Sequence, residues 1–259
     1  MSKHPFHLVS PSPWPFFSAL LACTTVVCII LSWHAFSPVW LLPSSLGFCY
    51  VCFEWSRSIS IESTYLGCHT SLVRKSHLIG FALFILSEIF FFVSWFWSYF
   101  HFSLRPAIEV GSVWPPTGIL VFSPFTVPLL NTTVLLTSGA TVTWAHTALS
   151  SALYFTADCG LCLTTLLGSF FLCLQLAEYY FSSFTLADSC FGSSFYMLTG
   201  FHGLHVFIGT ALLLGTLYRL RHGLLTNTSH TLFSVSVWYW HFVDVVWLFL
   251  FFIVYIWGS

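Results

Sequence analysis

The sequence has very little charge: only 6% of its 259 residues are Asp, Glu, Lys or Arg, and methionine occurs only twice. An ordinary soluble domain carries about a quarter charged residues, so this chain cannot cover a water-facing surface of its size. Seven basic and eight acidic residues leave a net charge of −1, which excludes a basic surface for nucleic acid and an acidic tail for basic partners. The chain is therefore predicted to be neither a soluble globular protein nor a nucleic-acid-binding protein.

Apolar residues are abundant instead: 57% of the chain is hydrophobic, 20% is aromatic, and the mean hydropathy is +0.88. A spanning helix needs about 20 mostly apolar residues. The predicted fold is an all-α integral membrane protein in one domain over residues 1–259, with two helices within 16–53 and five within 76–257. The seven predicted transmembrane helices cover residues 16–33, 39–53, 76–102, 127–150, 157–181, 190–217 and 232–257.

The cations predict the orientation, because Lys and Arg in short loops stay on the side from which helices insert. With seven predicted helices, six of the seven cations fall on one side of the membrane and only Arg105 falls on the other. The six are Lys3, Arg57, Arg74, Lys75, Arg219 and Arg221. The N-terminus and a predicted polar loop over 54–75 are therefore expected on the inside, and Ser259 on the outside. We interpret the first apolar stretch as a retained helix, since no small-residue cleavage site follows a short apolar core.

The nine cysteines include two pairs at the spacing of metal or redox motifs, Cys49-x-x-Cys52 and Cys159-x-x-Cys162. Neither pair lies on a turn between polar segments, and no second pair follows at zinc-finger spacing. We interpret these cysteines as small packing residues in an apolar interface.

Five ionisable side chains fall near the middle of predicted helices, where each is costly unless it finds a partner or water. Three interpretations remain open from the spacing alone: a metal or haem site in the bundle core, a proton or ion pathway, or hydrogen bonds that fix helix packing. Small residues in the sixth span, Gly200, Gly203 and Gly209, favour close packing of helices there. The five ionisable residues are Glu88, His202, His205, His241 and Asp244.

A series of motifs in fixed order resembles the cytochrome c oxidase subunit III family over residues 4–259. The motifs are HPFHLVSPSPWP (4–15), SEIFFF (87–92), WPPTGI (114–119), TWAH (143–146), EYY (178–180), GFHGLH (200–205) and WYWHFVDVVW (238–247). The resemblance implies a two-helix and a five-helix bundle separated by a lipid-filled cleft. It also implies a subunit that stabilises the oxygen-reducing, proton-pumping core, while haem a and copper belong to partner subunits and this chain carries no metal or catalytic residue.

The resemblance also assigns roles to individual residues. The five central polar groups become packing or proton-antenna groups, with Glu88 in the place of the family's intramembrane carboxylate. The expected partners are subunits I and II, accessory subunits and structural phospholipids. The expected headgroup contacts are Arg57, Glu62, His69 and Arg219.

The implied location is the mitochondrial inner membrane, with the N-terminus in the matrix and the C-terminus in the intermembrane space. Two alternatives belong to other classes: subunit III of a quinol oxidase, or an unrelated proton-linked transporter. Quinol-oxidase relatives commonly lack the first two helices, which are predicted here. A transporter is expected to show inverted repeats with broken helices, and the sequence shows no such repetition.

Overall fold

The computed structural model describes residues 5–34 and 38–258, and in these ranges the chain forms seven α-helices and no β-strand. The last of them continues into a π-helical segment, Phe251–Trp257. Lys3, His4 and Ser259, which enter the sequence predictions, lie outside the described residues. The helices are α1 (Trp14–Trp33), α2 (Leu41–Thr64), α3 (Ser71–Leu104), α4 (Val127–Ser150), α5 (Tyr154–Tyr180), α6 (Ser189–Arg221) and α7 (Thr231–Leu250).

Each predicted span coincides with one of these helices, and five of them are long and apolar enough to cross a membrane: α1, α3, α5, α6 and α7 with its π-helical extension. The other two, α2 and α4, are less apolar. Charged side chains occupy the second half of α2, and α4 is rich in threonine. The α4 hydroxyls bond to carbonyls of their own helix, as Thr132 does to Pro128 O at 2.9 Å and Thr143 to Gly139 O at 2.9 Å. Such bonds satisfy hydroxyl groups without water.

The predicted loop over 54–75 is largely wrong, because α2 continues to Thr64 and α3 already begins at Ser71. Polar side chains in this segment are compatible with a helix. The Ser60 hydroxyl donates to Ser56 O at 2.9 Å, and Arg57 pairs with Glu54 one turn earlier at 3.2 Å. Contacts at this spacing support a helix, so it extends past its apolar portion.

The chain divides into two compact units, residues 1–77 and 78–259. In the first unit α1 packs on α2. In the second unit α4 packs on α5 and α7, and α6 also packs on α5 and α7, so the four helices form a closed ring. Within this unit, α3 residues 78–104 meet α6 and α7 through aromatic side chains, such as Phe91 on Phe201 at 5.0 Å between ring centroids.

Trp240 is the central side chain of the four-helix ring, and it is fully buried. Its indole Nε1 donates to Ser138 Oγ on α4 at 2.9 Å. Glycines let α5 and α6 approach it: a Cβ at Gly168 would lie 2.5 Å from Trp240 Cη2, and one at Gly209 would lie 2.9 Å from Cε3. Close packing at Gly209 is thereby confirmed. Among the described residues nothing approaches within 4 Å of a Cβ at Gly200 or Gly203, so no other described helix of this chain packs closely on these two glycines.

Candidate functional site

The contact between Glu88 and His205 joins α3 to α6 near the middle of both helices. Glu88 Oε2 lies 2.9 Å from His205 Nε2, and both side chains are largely shielded from solvent. The other ring nitrogen, Nδ1, lies 2.6 Å from the carbonyl oxygen of Phe201, one turn earlier on α6. The pair therefore links two helices and is anchored to the backbone of one of them.

This geometry restricts where protons can lie. A carbonyl oxygen only accepts hydrogen bonds, so His205 Nδ1 carries the hydrogen that it donates to Phe201 O. Nε2 then either accepts a hydrogen bond from a neutral Glu88 carboxyl group or, in the imidazolium form, donates one to the carboxylate. In both forms a single proton lies between Glu88 and His205.

Aromatic rings surround the Glu88–His205 pair. The His205 ring centroid lies 5.0 Å from that of Phe92 on α3, and 6.2 Å and 6.3 Å from those of Tyr239 and Phe242 on α7. Apolar surroundings strengthen a hydrogen bond that is made and penalise one that is lost. The arrangement is suited to holding α3 against α6 and α7.

His241 and Asp244 form a second polar contact, between α7 and α4. His241 Nε2 lies 3.1 Å from Thr143 Oγ1, and its Nδ1 lies 3.8 Å from Asp244 Oδ2. Asp244 packs against the α4 backbone at Gly139, where an added Cβ would lie 2.5 Å from the same carboxylate oxygen. The glycine thus makes room for a buried carboxyl group.

His202 is the fifth predicted residue, and it is buried between the α6 and α7 helices. Its Nε2 lies 3.2 Å from the carbonyl oxygen of Val243 and therefore donates to it. Its ring lies 5.1 Å from that of Trp247 and 5.6 Å from that of Phe171. This bond fixes the ring against α7.

The structure thus distributes the five residues over three cross-helix contacts rather than gathering them at one centre. Within residues 5–34 and 38–258, no group of three or more His, Cys, Asp or Glu side chains has an arrangement able to hold a metal ion. All nine cysteines are described and all are free thiols. Each of the three histidines makes a hydrogen bond to another helix: His205 to α3, His202 to α7 and His241 to α4.

The four predicted headgroup residues are divided between the two units: three lie in the first and one in the second. In the first unit, Glu62 accepts a hydrogen bond from His7 Nε2 at 3.3 Å, and the His7 ring lies 6.1 Å from the His69 ring. Arg57 is exposed and pairs with Glu54 instead. Arg219 belongs to the second unit and is partly buried near the end of α6.

Two polar contacts were not predictable from the sequence. Arg221 at the end of α6 forms a two-pronged ion pair with Asp158 on α5, with Nε–Oδ1 at 2.6 Å and Nη2–Oδ2 at 3.1 Å. Glu178 near the end of α5 accepts a hydrogen bond from the Tyr255 hydroxyl at 2.8 Å. No local pattern connects residues so far apart in sequence. The available signals were two carboxylates, Asp158 and Glu178, close to the two ends of one apolar helix.

Comparisons with known proteins give one consistent result. Residues 4–259 match the family model described as cytochrome c oxidase subunit III. The chain is 49% identical over 258 residues to cytochrome c oxidase subunit 3 of Drosophila yakuba, covering 100% of this chain and 98% of that protein. It is 47% identical to the proteins of the same name from Coturnix japonica, over 99% of this chain and 98% of that one, and Chondrus crispus, over 100% and 96%.

Proposed function

Because this chain belongs to the cytochrome c oxidase subunit III family, we propose that it is a non-redox core subunit of the respiratory oxidase. Its role is to stabilise the subunits that hold haem a and copper, reduce oxygen and pump protons. The observation that carries the proposal is the match over residues 4–259, which includes the motifs of every helix in the second unit. The use of the central histidines for bonds within the chain supports it.

Selective removal of this chain from the purified oxidase tests the non-redox role. We expect the haem and copper absorption spectrum of the remaining complex to stay unchanged, while its activity declines faster during turnover. Readdition of the purified chain serves as the control and should restore the lifetime. A loss of haem or copper absorbance with the chain would contradict the proposal.

Within this role we propose that the Glu88–His205 pair holds α3 against α6 and does not supply protons. Glu88→Gln distinguishes the packing role from a proton-supply role, because Gln cannot titrate but its amide can still donate to His205 Nε2. We expect this variant to keep wild-type stability and proton-to-electron ratio. Glu88→Leu removes the bond, and we expect it to lower stability by about 0.5–2 kcal/mol, the range for a hydrogen bond between membrane helices.

The assay is proton release and thermal inactivation of the assembled oxidase reconstituted into vesicles. Wild-type assembly with reduced pumping in Glu88→Gln would favour proton supply instead. The remaining polar residues receive the same packing role in our proposal: His202 through Val243 O, His241 through Thr143, and Asp244 through its contact with the α4 backbone at Gly139.

The headgroup role of Arg57, Glu62, His69 and Arg219 is also part of this proposal. Arg offers a fork of donors that suits a phosphate, and Glu62 suits the ammonium of a zwitterionic headgroup. We expect Arg219→Ala to lose one tightly bound phospholipid by mass spectrometry of the intact complex. The matched control is Arg105→Ala, at the end of another membrane helix, which should keep it. Retention of that phospholipid in Arg219→Ala would contradict a headgroup role for Arg219.

We further place the chain in the mitochondrial inner membrane, with Arg74 and the α2–α3 connection facing the matrix. The cation distribution supports this orientation. A cysteine introduced beside Arg74 should react with a membrane-impermeant thiol reagent in inverted inner-membrane vesicles. Reaction from the intermembrane side of right-side-out membranes would reverse the proposed orientation.

A further inference from the structure

The exposed side of α4 is unusual for a membrane helix, because most of its side chains are small or carry a hydroxyl group. They follow one another at intervals of three or four residues, so they lie on one side of the helix. We call this surface the α4 face. It consists of Thr133, Thr137, Ala140, Thr143 and Thr147, all exposed, with the larger Leu136 and Trp144 among them.

Other helices of the second unit expose large apolar side chains, as suits a surface in contact with lipid. On α5 these include Leu163, Leu166 and Phe170, and on α6 they include Leu204 and Phe207. Lipid gives small residues no advantage, whereas a neighbouring helix does, because Gly, Ala, Ser and Thr let two helix backbones approach closely. The α4 face therefore has the composition of a contact between helices.

His241 is a second, independent observation, and it borders the α4 face. Its Nε2 lies 3.1 Å from Thr143 Oγ1, yet its side chain is 44% exposed. The residue lies about 15 Å from the start of a span about 40 Å long, Thr231–Trp257, and so is near the middle of the membrane. Ionisable side chains at this depth almost always face protein or a water-filled cavity, because exposure to hydrocarbon is costly. The exposed side of His241 therefore requires a cover other than lipid tails.

The chemistry of this surface selects its occupant. A lipid tail offers the imidazole no hydrogen bond and gains nothing from a row of small residues. A second membrane helix satisfies both features, since its backbone can approach Thr137 and Ala140 closely and one polar side chain on it can reach His241. A soluble partner is excluded, because the surface lies at membrane depth. The occupant is therefore a transmembrane helix.

We propose that the α4 face, together with His241, is the surface on which a transmembrane helix of another oxidase subunit docks. The contacting side of that helix carries small residues, and at the level of His241 it carries a side chain that hydrogen-bonds to the imidazole. This inference rests on the proposed function, which supplies the neighbouring subunits but names no surface through which this chain contacts them.

The test is photolabelling of the wild-type oxidase in vesicles of a phospholipid whose acyl chain carries a carbene-generating diazirine. Carbenes insert into O–H as well as C–H bonds, so a threonine-rich face in contact with lipid would be labelled. By mass spectrometry of peptides, we expect several-fold less label on residues 133–147 than on residues 163–176 of α5. The chain released from the oxidase is the control for access of the reagent, and label on residues 133–147 should rise several-fold there.

Equal labelling of the two segments in the intact oxidase would overturn the docking surface. The proposed function would still stand in that case if the chain purifies together with the haem and copper subunits. Failure to purify with them would contradict the proposed function itself, so the two failures are distinguishable.

A second measurement identifies the occupant. Leu136 on the α4 face is replaced by a phenylalanine analogue that carries benzophenone, and the cross-links formed on irradiation of the assembled oxidase are identified by mass spectrometry. We expect a cross-link to a transmembrane segment of a different subunit. The same analogue at Leu166, exposed on α5, is the matched control and should react with phospholipid. A cross-link from position 136 to phospholipid, or to a second copy of this chain, would overturn the proposal.

Discussion

Replacing Gly168 by Ala tests the packing of Trp240 most directly. The added Cβ would lie 2.5 Å from Trp240 Cη2 and 3.0 Å from Thr210 Oγ1, whereas favourable carbon contacts lie at about 3.5–4.0 Å. The indole cannot withdraw easily, because its Nε1 is bonded to Ser138 and Gly209 borders its other edge. We therefore expect overpacking to destabilise the chain by about 1–3 kcal/mol.

Within a helix, Ala is also more favourable than Gly by about 1 kcal/mol. This gain in stability would partly offset the loss caused by the clash. Gly215→Ala on α6 is the matched control, because a Cβ there meets no described atom within 4 Å. The helix-propensity gain is common to both variants. The difference between them should therefore report the clash alone, about 1–3 kcal/mol.

The assay is the temperature at which each variant loses this chain from the purified oxidase. Gly168→Ala should release it at a lower temperature than Gly215→Ala. Adding Trp240→Phe to Gly168→Ala makes room for the methyl group, so the two changes should destabilise by less than the sum of their separate effects. Equal release temperatures for the two glycine variants, or strict additivity of the double variant, would refute the reasoning.

Three further changes address other buried contacts. Thr132→Val removes the acceptor of the Trp247 indole N–H, now at 3.0 Å, and should lower stability in thermal unfolding by about 1–3 kcal/mol; Thr132→Ser should restore it. Gly139→Ala should displace the Asp244 carboxylate and destabilise the chain by about 1–3 kcal/mol. If the stability losses of Gly139→Ala and Asp244→Ala simply add in the double variant, the two residues are not in contact. Asp158→Asn weakens the partly exposed, two-pronged ion pair with Arg221 at the end of α6 and should lower stability by no more than about 1 kcal/mol at physiological salt, because such pairs are screened.

Sequence patterns predicted the all-helical class and the approximate position of each helix, because runs of about 20 apolar residues leave the backbone few ways to satisfy its hydrogen bonds in a membrane. The same patterns placed Glu88, His202, His205, His241 and Asp244 inside helices, where each needs a partner. Helix ends were less predictable. The polar residues from Glu54 to Thr64 continue α2, since local bonds support a helix that no longer has an apolar sequence.

The partners of the polar residues were decided only by the tertiary structure. Glu88 contacts His205 across 117 positions of sequence, and Trp240 contacts Ser138 across 102. Helical periodicity relates residues three or four positions apart. It does not predict which face of a distant helix they will contact. Gly209 and Gly203 show the same limit: both are small residues on α6, and only the first meets another helix within the described chain. Which face meets which depends on the packing of whole helices, where side-chain shape and the requirement to pair buried polar groups act together.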